Sequence, residues 1–215
     1  MPLEITQPEI NAYAESHTTA ESDVLAAINR ETHAKVMMPR MLSGHLQGRL
    51  LSMVSHMVKP LHALEIGTYT GYSSICLAEG IRPGGKLVTI DSNDELESRI
   101  LNNIARAGMQ NKIQLLIGKA ADLIPTLQTE FDLVFIDADK INYALYYDLV
   151  WPKVRLGGYL LVDNVLWSGK VIEARQDKDT LSIVEFNKKV QDDPRVENVL
   201  LPIRDGIMMI RKLSL

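Results

Sequence analysis

Before Leu61, apolar residues recur only at helical spacing. Val24, Leu25 and Ile28 share one face of a segment from about Ala20 to Arg30. Leu46, Leu50, Leu51, Val54 and Met57 do the same from about Gly44 to Val58, which predicts amphipathic helices. From Leu61 the texture changes to short apolar runs: Ala63 to Ile66, Lys86 to Ile90, Ile113 to Ile117, Leu133 to Ile136 and Tyr159 to Val162. Between them, Asp94 to Ala107 and Asn142 to Val150 read as amphipathic helices. Strand, helix and strand in repetition predict an α/β fold, a mostly parallel sheet with helices on both faces. Two last runs, Val196 to Leu201 and Gly206 to Ile210, are separated by a short turn and predict an antiparallel hairpin at the sheet edge. Gly157-Gly158 and Pro83-Gly84-Gly85 are expected to punctuate turns that enter strands. One domain is the economical reading, with residues 1–60 as a helical cap and residues 61–215 as the sheet core.

Composition narrows the field. The 215 residues carry a net charge of -4, so no basic field exists to hold a phosphate backbone, and nucleic acid is not the expected partner. Cys76 is the only cysteine, which rules out an internal disulfide and fits a reducing, cytoplasmic compartment. Met1 to Ile5 lack the basic and apolar regions of a secretory signal, and no window reaches the roughly 18 to 20 apolar residues of a membrane span. The apolar N-terminal helices suggest a homodimer in which they also line the pocket.

Ligands of an open parallel sheet collect at the carboxyl ends of its strands, near the point where strand order reverses. The first strand ends in Glu65-Ile66-Gly67-Thr68-Tyr69-Thr70-Gly71-Tyr72-Ser73. Gly67 and Gly71 permit a tight turn and close backbone approach. Asp91, at the next strand end, is placed to accept both ribose hydroxyls. A lone glycine-rich turn can serve geometry only; paired with Asp91 it points to a nucleoside. A dinucleotide site wants Gly-x-Gly-x-x-Gly, to admit a pyrophosphate. Here Tyr69 takes the second-glycine position, which suits a ligand without phosphate and a ring near a cationic sulfonium. S-adenosylmethionine has both properties.

The fourth strand runs into Asp137-Ala138-Asp139-Lys140 and the fifth into Asp163-Asn164. If these strands are neighbours, Asp137, Asp163 and Asn164 converge. Two carboxylates and an amide oxygen are hard ligands, suited to magnesium first, with calcium or manganese as alternatives. Read singly, Asp137 or Asp139 caps the following helix and Asp163-Asn164 makes a turn. A phenol has a pKa near 10, so a divalent ion that favours its anion would activate it. Lys140 is the candidate general base, provided the adjacent cation lowers its pKa.

Three motifs, Glu65 to Ser73, Phe135 to Tyr143 and Asp163 to Gly169, resemble the cation-dependent class I O-methyltransferases, a family that includes caffeoyl-CoA and catechol O-methyltransferases and bacterial relatives. The resemblance runs from about Met41 to Lys212. It implies a Rossmann-like fold, a seven-stranded mostly parallel sheet with an antiparallel C-terminal strand, flanking helices and additional N-terminal helices. It assigns Met41, Ser43, Glu65, Gly67, Tyr69, Ser73, Asp91, Ala120 and Asp137 to the S-adenosylmethionine cofactor. Asp137, Asp163 and Asn164 become metal ligands, with Lys140 and Asp137 at the reacting centre and a small hydroxylated aromatic as acceptor. Gly44 to Gly48 and Arg204 depart from plant patterns beside the expected acceptor pocket, which sets the acceptor apart from a plant-type CoA ester. Trp167 is either an aromatic wall over the acceptor or a core residue; Tyr143, Tyr146 and Tyr147 read as packing. The rivals are a nicotinamide-dependent oxidoreductase, a nucleic-acid methyltransferase and a ligand-binding module without catalysis.

Overall fold

A computed structural model describes residues 7–214. Three helices come first: α1 (Pro8–Ser16), α2 (Asp23–Lys35) and α3 (Gly44–Val58). The second lies later in the chain than the apolar spacing predicts. Ser22 sets its start, accepting from the Leu25 N–H at 3.4 Å. Leu25 and Ile28 are fully buried within the chain. Two residues of the stripe expected to face a second subunit are therefore used in the protomer's own packing, while Val24 is half-buried. The expected bounds of α3 hold. Gly48 lets this helix lie close to the next one, since a Cβ there would stand 2.6 Å from the Tyr72 ring.

The sheet then alternates with helices: β1 (His62–Ile66), α4 (Tyr72–Glu79), β2 (Lys86–Asp91), α5 (Glu97–Arg106), β3 (Ile113–Ile117), α6 (Ala120–Leu123), β4 (Phe131–Ile136), α7 (Tyr143–Val150), β5 (Val154–Asp163), α8 (Lys178–Gln191), β6 (Val196–Leu201) and β7 (Ile207–Lys212). Its seven strands are ordered β3-β2-β1-β4-β5-β7-β6. The described chain forms two compact units, one of residues 12–120 and the other of residues from Ala121 on with those before Ala12.

In the first unit β1 pairs in parallel with β2, and β2 with β3. In the second, β4 and β5 are parallel neighbours, and β5–β7 and β7–β6 are antiparallel. The expected C-terminal hairpin is present, with β6 at the edge and β7 inside it. Leu133, Val134, Phe135 and Ile136 in β4 and Leu160, Leu161 and Val162 in β5 are all fully buried, as strands covered on both faces must be.

Two expectations fail locally. Gly157-Gly158 is no turn into a strand but lies inside β5, where the pairing jumps from Phe131–Val154 to Leu133–Tyr159. Gly157 takes φ +73 there, the left-handed geometry that a bulge gives to glycine. The segment from Asp94 to Ala107 is not one helix: a 3-10 turn, Asp94–Leu96, capped by Asn93, precedes α5. Among the described residues no helix is long and apolar enough to cross a membrane.

Candidate active site

The first unit gathers its polar groups where β1 and β2 end. Glu65 is fully buried. An isolated buried carboxylate is costly, and here its Oε2 accepts from the hydroxyls of Ser74 and, at 2.6 Å, Thr89. Register dictates the second contact, since Glu65 lies opposite Thr89. Thr89 and Ser74 went unnamed in the sequence reading; the signal was a lone polar residue inside the apolar run of β2.

Asp91 does different work. Its Oδ2 accepts from the backbone N–H groups of Thr68 at 3.0 Å and Tyr69 at 2.6 Å, and its Oδ1 from Asn93 N–H at 2.9 Å. A carboxylate offers about four acceptor positions, so Asp91 is first the clamp of the glycine-rich turn, with little capacity left over for a ligand. That clamp holds a turn in which Gly67 (φ +100), Tyr69 (φ +52) and Gly71 (φ +83) are all left-handed. For Tyr69 the conformation is strained, and its phenol is tied down as well, donating to the Met37 carbonyl at 2.9 Å. Burial pushes the Tyr69 hydroxyl pKa up.

The other residues expected at this edge divide by exposure. Ser43, Ser73 and Ala120 are buried, at the starts of α3, α4 and α6. Met41 ends a 3-10 turn, Pro39–Met41, with over half its surface exposed.

In the second unit the acidic motifs meet. The Lys140 Nζ donates to Asp137 Oδ1 at 3.1 Å, to Asn164 Oδ1 at 2.7 Å and to the Tyr143 hydroxyl at 2.7 Å. Asp137 and Asn164, on different strands' ends, thus share one positive point. Asp163 is buried, with its Oδ1 accepting from the Asn164 N–H at 2.8 Å. Tyr143 is fully buried and passes its own proton to the Asp163 carbonyl at 2.9 Å. Burial and the surrounding carboxylates, Asp137 first among them, push its pKa well up, so it stays a neutral donor. Tyr143, Tyr146 and Tyr147 are indeed packed, yet every one of their hydroxyls is bonded to an aspartate or its backbone. Trp167 lies beside the cluster, with Lys140 at 5.8 Å and Lys170 at 5.9 Å from its ring.

With all three N–H bonds donated, the Lys140 ammonium has no lone pair to offer as a base. The oxygens around it form a set that fits a hard cation: an ammonium already stands in their midst, and no nitrogen or sulfur donor competes. Among the described residues no three His, Cys, Asp or Glu side chains gather as a ligand group; the oxygens that reach Lys140 are those of the Asp137 carboxylate, the Asn164 amide and the Tyr143 hydroxyl.

Comparison with known proteins decides the family. The model of a family described as O-methyltransferase matches residues 15–213. The chain belongs to the O-methyltransferase family. Tricin synthase 2 of Oryza sativa subsp. japonica is 37% identical to this O-methyltransferase over 182 residues, 78% of the chain; the match spans only 62% of that relative's length. Caffeoyl-CoA O-methyltransferase 1 of Eucalyptus globulus is 33% identical over 199 residues, covering 86% of this chain and 80% of its own. Among solved structures, the O-methyltransferase from Bacillus cereus in complex with SAH superposes with a TM-score of 0.87 at 27% identity, covering 95% of this chain and 97% of that one. The family is S-adenosylmethionine-dependent, which removes the nicotinamide reading that Tyr69 already disfavoured.

One site residue escaped the sequence reading altogether. Asp205, in the turn between β6 and β7, accepts from the Ser168 N–H on its carboxylate and from the Leu166 N–H on its carbonyl. Burial pushes its carboxyl pKa up, while the Ser168 N–H and the nearby Lys140 charge pull the other way. No short-range pattern announces it, because the hairpin brings it to Ser168 from 37 positions away in the chain.

Proposed function

We propose that this O-methyltransferase moves a methyl group from S-adenosylmethionine to a hydroxyl of a small, catechol-like aromatic, with the help of a divalent cation, magnesium first. One observation carries the reading: Asp137 and Asn164, from the ends of β4 and β5, both reach a single positive point, the Lys140 Nζ. The names of the relatives, a caffeoyl-CoA O-methyltransferase among them, support an aromatic acceptor, and the SAH held by the Bacillus cereus structure supports the donor.

In this reading Glu65, Gly67, Tyr69, Ser73, Asp91 and Ala120 shape the donor's seat, with Met41 and Ser43 beside it. The donor supplies a methyl group on a sulfonium sulfur, so one carbon–sulfur bond breaks as a carbon–oxygen bond forms. Such an in-line displacement needs orientation more than covalent help. Asp137, Asp163 and Asn164 would hold the cation, which when bound would favour the acceptor's anionic form. Lys140, as the neutral amine, would take the acceptor's proton on Nζ as the general base. Tyr143 holds Nζ beside Asp137 and Asn164 through its hydroxyl.

The test is Asp163→Ala assayed with a catechol and labelled donor, with and without magnesium. Turnover should fall about 10²–10³-fold, the equivalent of losing several kcal/mol of charge stabilisation, while donor binding persists by calorimetry. Undiminished turnover in this variant, or in chelator-treated wild type, would remove the cation from the mechanism.

A further inference from the structure

Between α2 and α3 the chain crosses a stretch that its own side chains do little to hold. Thr32 and Leu42 are buried, but none of residues 33–41 is. Met37 is 86% exposed, and Met38 takes the left-handed φ of +58. That backbone is strained for methionine, and it persists only where the surroundings over-determine it.

Here the glycine-rich turn after β1 does so. The Tyr69 hydroxyl donates to the Met37 carbonyl at 2.9 Å and, as the longer arm of a forked bond, to the Met38 carbonyl at 3.4 Å. Thr32, near the end of α2, donates to the Thr70 hydroxyl at 3.3 Å. Two successive residues of the turn thus tie down a segment 31 to 38 positions earlier in the chain. That segment runs on through the 3-10 turn Pro39–Met41 to buried Ser43. The Met38 carbonyl also accepts from the Met41 N–H at 2.9 Å, the bond that closes the 3-10 turn.

Tyr69 is itself left-handed, and Asp91 fixes its backbone N–H at 2.6 Å. Its backbone therefore belongs to the turn at the end of β1, while its hydroxyl belongs to the segment that carries Met41 and Ser43. A strained residue stands at each end of one hydrogen bond. A ligand that settles on the turn and stills the Tyr69 ring stills the segment with it. We infer that Tyr69 is a positioning residue whose hydroxyl carries order from the turn to residues 36–43, so that donor binding and the ordering of this segment are coupled. The inference rests on the reading of this turn as the donor's seat and gives Tyr69 a task that its ring alone would not perform.

Tyr69→Phe keeps the ring and removes only the hydroxyl. The measurement is backbone amide exchange, with and without saturating SAH, beside the affinity for SAH by calorimetry. In wild type SAH should slow exchange in residues 66–73 and in residues 36–43. In the variant the first effect should persist and the second should vanish, with affinity weakened about 3–10-fold, the scale of one hydrogen bond. A merely structural role would lower the ligand-free thermal midpoint and leave the exchange pattern intact; here the midpoint should stay near wild type. Slowing of residues 36–43 in the variant to the wild-type extent overturns the inference and leaves the donor's seat standing. SAH bound to wild type without slowing residues 66–73 overturns the seat reading. Should Tyr69→Phe not fold, Met38→Pro reaches the same contact from its exposed side, since proline, fixed at a φ of about -65°, cannot take the left-handed corner. It should reproduce the loss of slowing in residues 36–43, and slowing at the wild-type level there overturns the inference as well.

Discussion

The two units treat their carboxylates in opposite ways. In residues 12–120, Glu65 Oε2 and Asp91 take neutral donors, hydroxyls for one and backbone N–H groups for the other. Asp91 spends its charge on building a turn. In the second unit, Asp137 and Asn164 share the ammonium of Lys140. The lesson is that an acidic residue at a strand end is not a ligand by position alone. Asp137 differs from Asp91 in having an ammonium, rather than fixed backbone, as its partner.

Changes that hit one side only sharpen this contrast. The largest effect is expected for Lys140→Met. If Lys140 is the base, turnover should drop about 10²–10⁴-fold, whereas divalent-ion affinity should hold or improve, because its resident competitor has gone. A Mn²⁺ titration that shows weaker binding in this variant would break the assignment. Asp91→Asn comes next. Removing the charge from three backbone hydrogen bonds should cost about 1.5–3 kcal/mol of stability, the range for a charged hydrogen bond, seen in urea denaturation, and should weaken donor binding. Cation affinity should not follow, and a parallel loss of both would collapse the distinction between the two units.

The smallest effect concerns Cys76, whose burial pushes its thiol up to about 12. The native protein should resist iodoacetamide at pH 8 and react only when unfolded. The linked stability term is fully present below the unfolded thiol's pKa of 9.0 and is lost as pH climbs toward 12. Rapid labelling of the folded chain at pH 8 would contradict the burial of this side of α4.

Much of this was legible in the sequence, for a physical reason. Strands covered on both faces are mostly apolar, so β4 and the Leu160–Val162 stretch of β5 announce themselves, and the strand ends bring Asp91, Asp137 and Asp163 with them. What was hidden depended on partners distant in the chain. Gly157-Gly158 has the composition of a turn, and only pairing with β4 makes it a bulge. The apolar face of α2 could have served a second subunit equally well; only the fold shows Leu25 and Ile28 buried within the protomer. Helix α8 was passed over although its Asp177 cap and the buried Ile183, Phe186 and Val190 could have been read directly. Asp205 was beyond reach, because its role exists only once β7 has paired with β5.

Because Lys140 already stands between Asp137 and Asn164, part of the negative charge of the acidic edge is offset with no outside ion. If the proposed cation is required, a cell short of magnesium would keep an intact but silent protein, ready to be restored by the ion alone, without fresh synthesis. How much of the enzyme is present and how much of it works would be set by separate variables.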